Sequence, residues 1–126
     1  MTYFFDRSLG KRLPQVFKAR GIAAITHDDL FAQATADVTW LQIAGERGWI
    51  AITKDDPIRH NTNERRALIE NAVGCFVLAN ANASGAQMEQ ALSLAWEGIE
   101  QIVRDEAQPF LYIISLDGQL RRVSLS

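Results

Sequence analysis

A chain of 126 residues, 48% hydrophobic and 22% charged, is long enough for one real core and too short for two ordinary domains, so a single domain over 1–126 is expected. That balance excludes a disordered polyelectrolyte, and no apolar run approaches the roughly 20 residues a membrane-spanning helix needs. The formal net charge of −2 neither requires nor excludes a nucleic-acid partner, so the local placement of charge has to decide.

Thr2-Tyr3-Phe4-Phe5 is a short β-prone run that stops at Asp6. Segment 9–20 then carries Leu9, Leu13, Val16, Phe17 and Arg20 at spacings of three and four, which predicts an amphipathic helix stopped by Gly21. A second strand is expected over 22–26, followed by the polar connection His27-Asp28-Asp29. Strand, helix and strand in so short a span form a βαβ unit, and such units pair in parallel.

Segment 37–47 opens with Asp37, places Trp40, Leu41 and Ala44 on one face and ends at Gly48, as a helix packed on a sheet does. Trp49-Ile50-Ala51-Ile52-Thr53 predicts a third strand, running into Lys54-Asp55-Asp56. Asn61 to Glu64 has capping-box spacing, with Leu68, Ile69 and Ala72 following as a helical stripe. Segment 73–78 predicts a fourth strand and holds Cys75, the single cysteine, which suits a small core residue in a reducing compartment.

A second capping box, Ser84 to Gln87, opens the longest helical pattern, from Met88 to Val103 with Trp96 on its apolar stripe. After Pro109, the run 110–114 predicts a fifth strand, and the Asp117-Gly118 turn leads to a short terminal hairpin strand carrying Leu120, Val123 and Leu125. Strands alternating with helices predict an α/β fold, a three-layer α/β/α sandwich around a mostly parallel sheet. Trp40, Trp49 and Trp96 are expected in the core.

The chemistry lies in the acids. Asp6 and Asp55 each follow a predicted strand, and parallel strands bring their carboxyl ends into one crevice. A small open cluster of Asp suits Mg²⁺, a hard ion held by few carboxylates together with water and phosphate oxygens. Each acid also fits a turn or helix-cap role, and Asp37 fits the start of a helix near its positive end. Asp28, Asp29, Asp105 and Asp117 are expected to be solvated.

Phe4-Phe5-Asp6, then Asp37 with Trp40-Leu41 and Ala44, then Ile52-Thr53-Lys54-Asp55, resemble the PIN-like domain superfamily, small α/β metal-dependent nucleases that include the VapC-type toxins. The likeness covers residues 2–60 by motif and the rest by element order. It implies that Asp6, Asp37, Asp55 and Asp56 are catalytic, that Asp6, Asp37 and Asp55 bind Mg²⁺ or Mn²⁺, and that the reaction is hydrolysis of an RNA phosphodiester. It also implies an antitoxin protein as partner. Arg7-Ser8 stand after Asp6 where acids or amides often stand in the nearest subgroup, so Arg7 either holds a substrate phosphate or neutralises Asp6. Thr53 is expected to orient a carboxylate or a water.

Arg59-His60 and Arg65-Arg66 form the densest basic stretch and suit either an RNA backbone or a solvated face. Asn80 and Asn82 follow the fourth strand and suit either a loop entering a helix or amides facing the acidic crevice, where they would bind metal-bound water or ribose. A phospho-accepting receiver domain is the poorer match, because the first strand offers only Asp6 and no lysine follows Lys54. A PIN-like module that binds RNA or protein without cleaving is the nearer alternative, and the helix with Trp96 offers a homodimer face. With strand-like sequence starting at Thr2, no secretory leader is expected, so the cytoplasm is the expected compartment.

Overall fold

The computed structural model describes residues 1–30, 37–54, 62–79 and 82–125. Its elements are β1 (Tyr3–Phe5), α1 (Arg12–Ala19), β2 (Ala24–Thr26), α2 (His27–Leu30), α3 (Asp37–Arg47), β3 (Ile50–Lys54), α4 (Thr62–Glu70), β4 (Gly74–Leu78), α5 (Gly85–Asp105), β5 (Phe110–Ile114) and β6 (Leu120–Arg122). A 3₁₀ turn, Arg7–Leu9, links β1 to α1. The strands form one sheet in the order β2-β1-β3-β4-β5-β6, parallel except for β6.

Apart from Thr53 near the end of β3, the buried strand positions are apolar on both faces, and the two-residue period assigns each side chain to a layer. Tyr3, Phe5, Ile50, Ile52, Phe76 and Leu78 pack with α1 and α5. Phe4, Ala51, Cys75, Val77 and Leu111 pack with α3 and α4, among Trp40, Leu41 and Leu68. The architecture is the α/β/α sandwich that the alternation of elements predicts.

The tryptophans take the expected core places. Trp40 is fully buried, its ring 5.0 Å from that of Phe4, and the Trp49 ring stacks nearly parallel to Phe4 at 6.0 Å. Trp96 lies between Tyr3 and Phe17, at 4.8 and 5.0 Å, so its ring packs within the chain. Ser84 caps α5 with the predicted box: its hydroxyl accepts from the Gln87 N–H at 3.1 Å and the Gln87 side chain accepts from the Ser84 N–H at 2.9 Å.

Local details depart from expectation. The helix over 9–20 is split, because the left-handed Gly10, φ +79°, ends the 3₁₀ turn and α1 starts afresh at Arg12. His27-Asp28-Asp29 is the helix α2 and not a loop: the Thr26 N–H donates to Asp29 Oδ2 at 2.9 Å and the Asp29 N–H to Thr26 Oγ1 at 3.2 Å, a reciprocal cap. The stripe on α4 narrows to Ala67 and Leu68, with Ile69 41% exposed and Ala72 beyond the helix at φ 53°. Asn61, the cap expected for α4, lies outside the described residues.

Gly45 on α3 faces the Asn71 backbone after α4, where a β-carbon would stand 2.3 Å from the Asn71 carbonyl oxygen. Only glycine permits so close a crossing. It fixes the height of α3, the helix that begins with Asp37, above the sheet.

Candidate active site at the β1–β3 switch point

From β1 the chain runs to β2 on one side and then to β3 on the other, so the direction of winding reverses between β1 and β3. At such a point the two connections leave in opposite directions and open a crevice beyond the carboxyl ends of the strands. Asp6 is the first residue past β1. Its N–H still donates to the Ile52 carbonyl at 2.9 Å, which ties the residue to β3 before the 3₁₀ turn departs.

That turn folds Ser8 back over Asp6. Asp6 Oδ2 accepts two hydroxyl hydrogen bonds, from Ser8 Oγ and from Thr53 Oγ1, each at 2.8 Å. Ser8 Oγ accepts in turn from the Lys54 N–H at 3.1 Å, joining the turn to the end of β3. A hydroxyl has one proton, so with both donating to Asp6 the 3.3 Å separation between them is a contact and not a third bond. Among the described residues, Asp6 Oδ1 accepts no hydrogen bond.

The carboxylate is thus held by one oxygen and offers the other. Thr53 is 3% exposed and aligned by β3, so the brace is rigid on that side. A hard divalent cation takes oxygen ligands, and the Oδ1 of Asp6, which accepts no hydrogen bond from the described residues, fits that preference. Asp6 and Thr53 share the strand parity of Phe4 and Ala51, which is the α3 side of the sheet.

The structure brings Asp6, Thr53 and Ser8 together. Ser8 is not singled out by the sequence reading; its signal is a hydroxyl two positions after a strand-end acid, close enough to turn back on it. Asp37 is the first residue of α3, and its side chain lies outside the described residues. Asp55, Asp56, Arg59, His60 and Asn80 also lie outside them. Among the described residues no group of three or more His, Cys, Asp or Glu side chains could hold a metal ion.

On the β2 side of Asp6 opens a cleft of about 400 Å³, lined in part by Arg7, Lys11, Lys18, His27, Asp28 and Asp29. Arg7 Nε stands 3.9 Å from Asp28 Oδ1. Asp29 holds its carboxyl below the usual range, chiefly because it accepts the Thr26 N–H. His27 is 2% exposed, its ring 6.3 Å from that of Phe4 and its Nδ1 3.9 Å from Asp28 Oδ1. Arg65, from the basic stretch, donates to the Ser124 carbonyl and fastens α4 to the C-terminal segment.

Among the described residues no helix is long and apolar enough to cross a membrane. No solved structure matches the chain significantly. The chain is similar to a Mycobacterium tuberculosis (strain ATCC 25618 / H37Rv) protein named "Putative ribonuclease VapC45", at 29% identity over 116 residues, covering 88% of this chain and 83% of that protein. A model of the PIN-like domain matches residues 1–80, the stretch that contains β1, β3, Asp6 and Thr53. The chain belongs to the PIN-like domain family.

Proposed function

We propose that this protein is one PIN-like domain that hydrolyses RNA phosphodiester bonds with Mg²⁺ or Mn²⁺, as the toxin of a type II toxin–antitoxin pair acting in the cytoplasm. The observation that carries the reading is Asp6 at the switch point, one carboxylate oxygen fixed by Thr53 and Ser8 and the other open. The name of the M. tuberculosis relative supports ribonuclease chemistry and a toxin role.

Asp6, Asp37 and Asp55 are the residues that would hold the metal, with Asp56 as a further acid of the site. The ion would supply activation of a water for attack and neutralisation of charge on the phosphate. The chain's own part is to hold carboxylates that repel one another close enough to share a cation. The β1–β3 ladder does this for Asp6, and Asp55 is covalently next to Lys54, the last residue of β3. Thr53 and Ser8 keep Oδ2 occupied, so Asp6 presents Oδ1 without paying for its orientation when the ion arrives.

Arg7, Thr53, Arg59 and His60 make up the substrate side of this reading. Its partners are an RNA substrate, an antitoxin protein and a second copy of the chain. The alternative is the same domain without catalysis, binding RNA or protein. Labelled total RNA incubated with Mg²⁺, Mn²⁺ or EDTA separates the two: metal-dependent cleavage supports the nuclease, and intact RNA under every condition supports the binding module.

A further inference from the structure

α1 carries two kinds of cation. Arg12 and Arg20 face α5, where both reach Glu89, at 2.9 and 3.5 Å, and Arg20 also donates to Ser93 at 2.8 Å. They bridge α1 and α5. Lys11, Gln15 and Lys18, spaced four and three residues apart, lie on another face of the helix, and all three line the cleft that starts at Asp6. Arg7, four residues before Lys11, continues the row to the acid itself.

The pairing of the cleft lysines is loose. Lys18 to Asp29 is 4.0 Å, with side chains 45% and 51% exposed, and Arg7 Nε stands 3.9 Å from Asp28 Oδ1. Lys11 pairs with no acid among the described residues. Ion pairs so long and so exposed contribute little to stability, so a phosphate can displace the carboxylates at small cost.

We propose that Arg7, Lys11, Gln15 and Lys18 form a track for the backbone of a single-stranded RNA, carrying it away from Asp6 along α1. The inference rests on the nuclease reading, and deepens it by saying where the strand lies. Lys11 and Lys18 are seven residues apart, or about 10 Å along the helix, enough for the track to engage more than one phosphate. Its contacts are electrostatic and independent of sequence. Asp28 and Asp29 act as built-in competitors that hold the cations in place when no RNA is bound.

The test is fluorescence anisotropy of a short labelled poly(U) strand in EDTA, where cleavage cannot intervene, across a range of salt concentrations. It compares wild type, Lys11→Gln with Lys18→Gln, and Asp28→Asn, each checked for an unchanged circular dichroism spectrum and melting temperature. The double lysine variant is expected to bind more weakly and to lose about 1.4 from the magnitude of the log–log salt slope, about 0.7 for each phosphate contact removed. Asp28→Asn is expected to bind more tightly.

Unchanged affinity and slope in the lysine variant would overturn the track, as would no RNA binding by the wild type. Tighter binding of a polyglutamate peptide than of RNA, lost in the same lysine variant, would assign the face to an acidic protein and overturn the RNA track. The two readings fail separately. RNA binding that depends on the lysines without cleavage in Mn²⁺ keeps the track and removes the nuclease, whereas cleavage with a lysine-independent slope does the reverse.

Discussion

Thr53 Oγ1 donates a 2.8 Å hydrogen bond to Asp6 Oδ2, joining residues 47 positions apart in sequence. The sheet makes this possible, because β1 and β3 are parallel neighbours and Phe5 is level with Ile52, so the next residues of each strand meet. The bond makes Thr53 a positioning residue for the acid.

Thr53→Val keeps the shape of the side chain and removes the donor. Loss of a group that orients a metal-binding carboxylate costs about 10- to 100-fold in metal affinity or activity. Cleavage by Thr53→Val is expected to need a higher Mn²⁺ concentration for half-maximal rate, while Thr53→Ser restores the wild-type requirement. An unchanged Mn²⁺ requirement in Thr53→Val would remove Thr53 from the site.

Gly45→Ala tests how the fold sets the height of α3. The new β-carbon would meet the Asn71 carbonyl oxygen at 2.3 Å, and a backbone atom cannot swing aside as a side chain does. Overpacking of this kind costs about 1–3 kcal/mol, against the fraction of a kcal/mol that alanine gains over glycine in an ordinary helix. Urea denaturation is expected to show a lower midpoint, and cleavage by the folded protein is expected to fall because α3 carries Asp37.

Tyr3 supplies an alkaline prediction. Burial, with Glu100 adding to it, pushes its phenol up to about 12. A folded pKa above the unfolded value of 10.0 gives stability that is complete below pH 10 and is lost as pH rises toward 12. The shift corresponds to about 2–3 kcal/mol. Tyr3→Phe is expected to flatten the decline in unfolding free energy between those pH values, measured by urea titration at each pH; a decline as steep as the wild type's would contradict the assignment.

Ser84→Ala removes one half of the box that starts α5. The cost is expected at about 1 kcal/mol, with a lower melting temperature and no effect on cleavage, since the cap acts on the helix terminus alone.

The fold was legible because it rests on long apolar periods. The strands Gly74–Leu78 and Phe110–Ile114 are continuous apolar runs, Ile50–Lys54 opens with one, and α5 repeats its stripe over five turns behind a visible cap. What escaped the pattern was short and polar. α2 is set by one reciprocal Thr26–Asp29 cap within four residues, too few to show a period. Ile69 looked like core by spacing, yet α4 ends at Glu70 and the face it turns to the sheet is only Ala67 and Leu68 wide.

The site was legible in part for the same reason. Asp6 and Thr53 could be singled out because each stands where a β-prone run of the sequence gives way to polar residues. Ser8 could not, because its role depends on a 3₁₀ turn and on a register between β1 and β3 that no local pattern encodes. Arg7 was open to two readings, and its Nε lies 3.9 Å from an Asp28 carboxylate oxygen, on the cleft side of the acid.

The most direct test of the central claim is the rate of cleavage of a labelled RNA in Mn²⁺ by wild-type protein and by Asp6→Asn, with EDTA controls and melting curves to show that both are folded. Metal-dependent cleavage by the wild type that is abolished in a folded Asp6→Asn is the predicted result, and equal cleavage by the two proteins, or cleavage that survives EDTA, would contradict it.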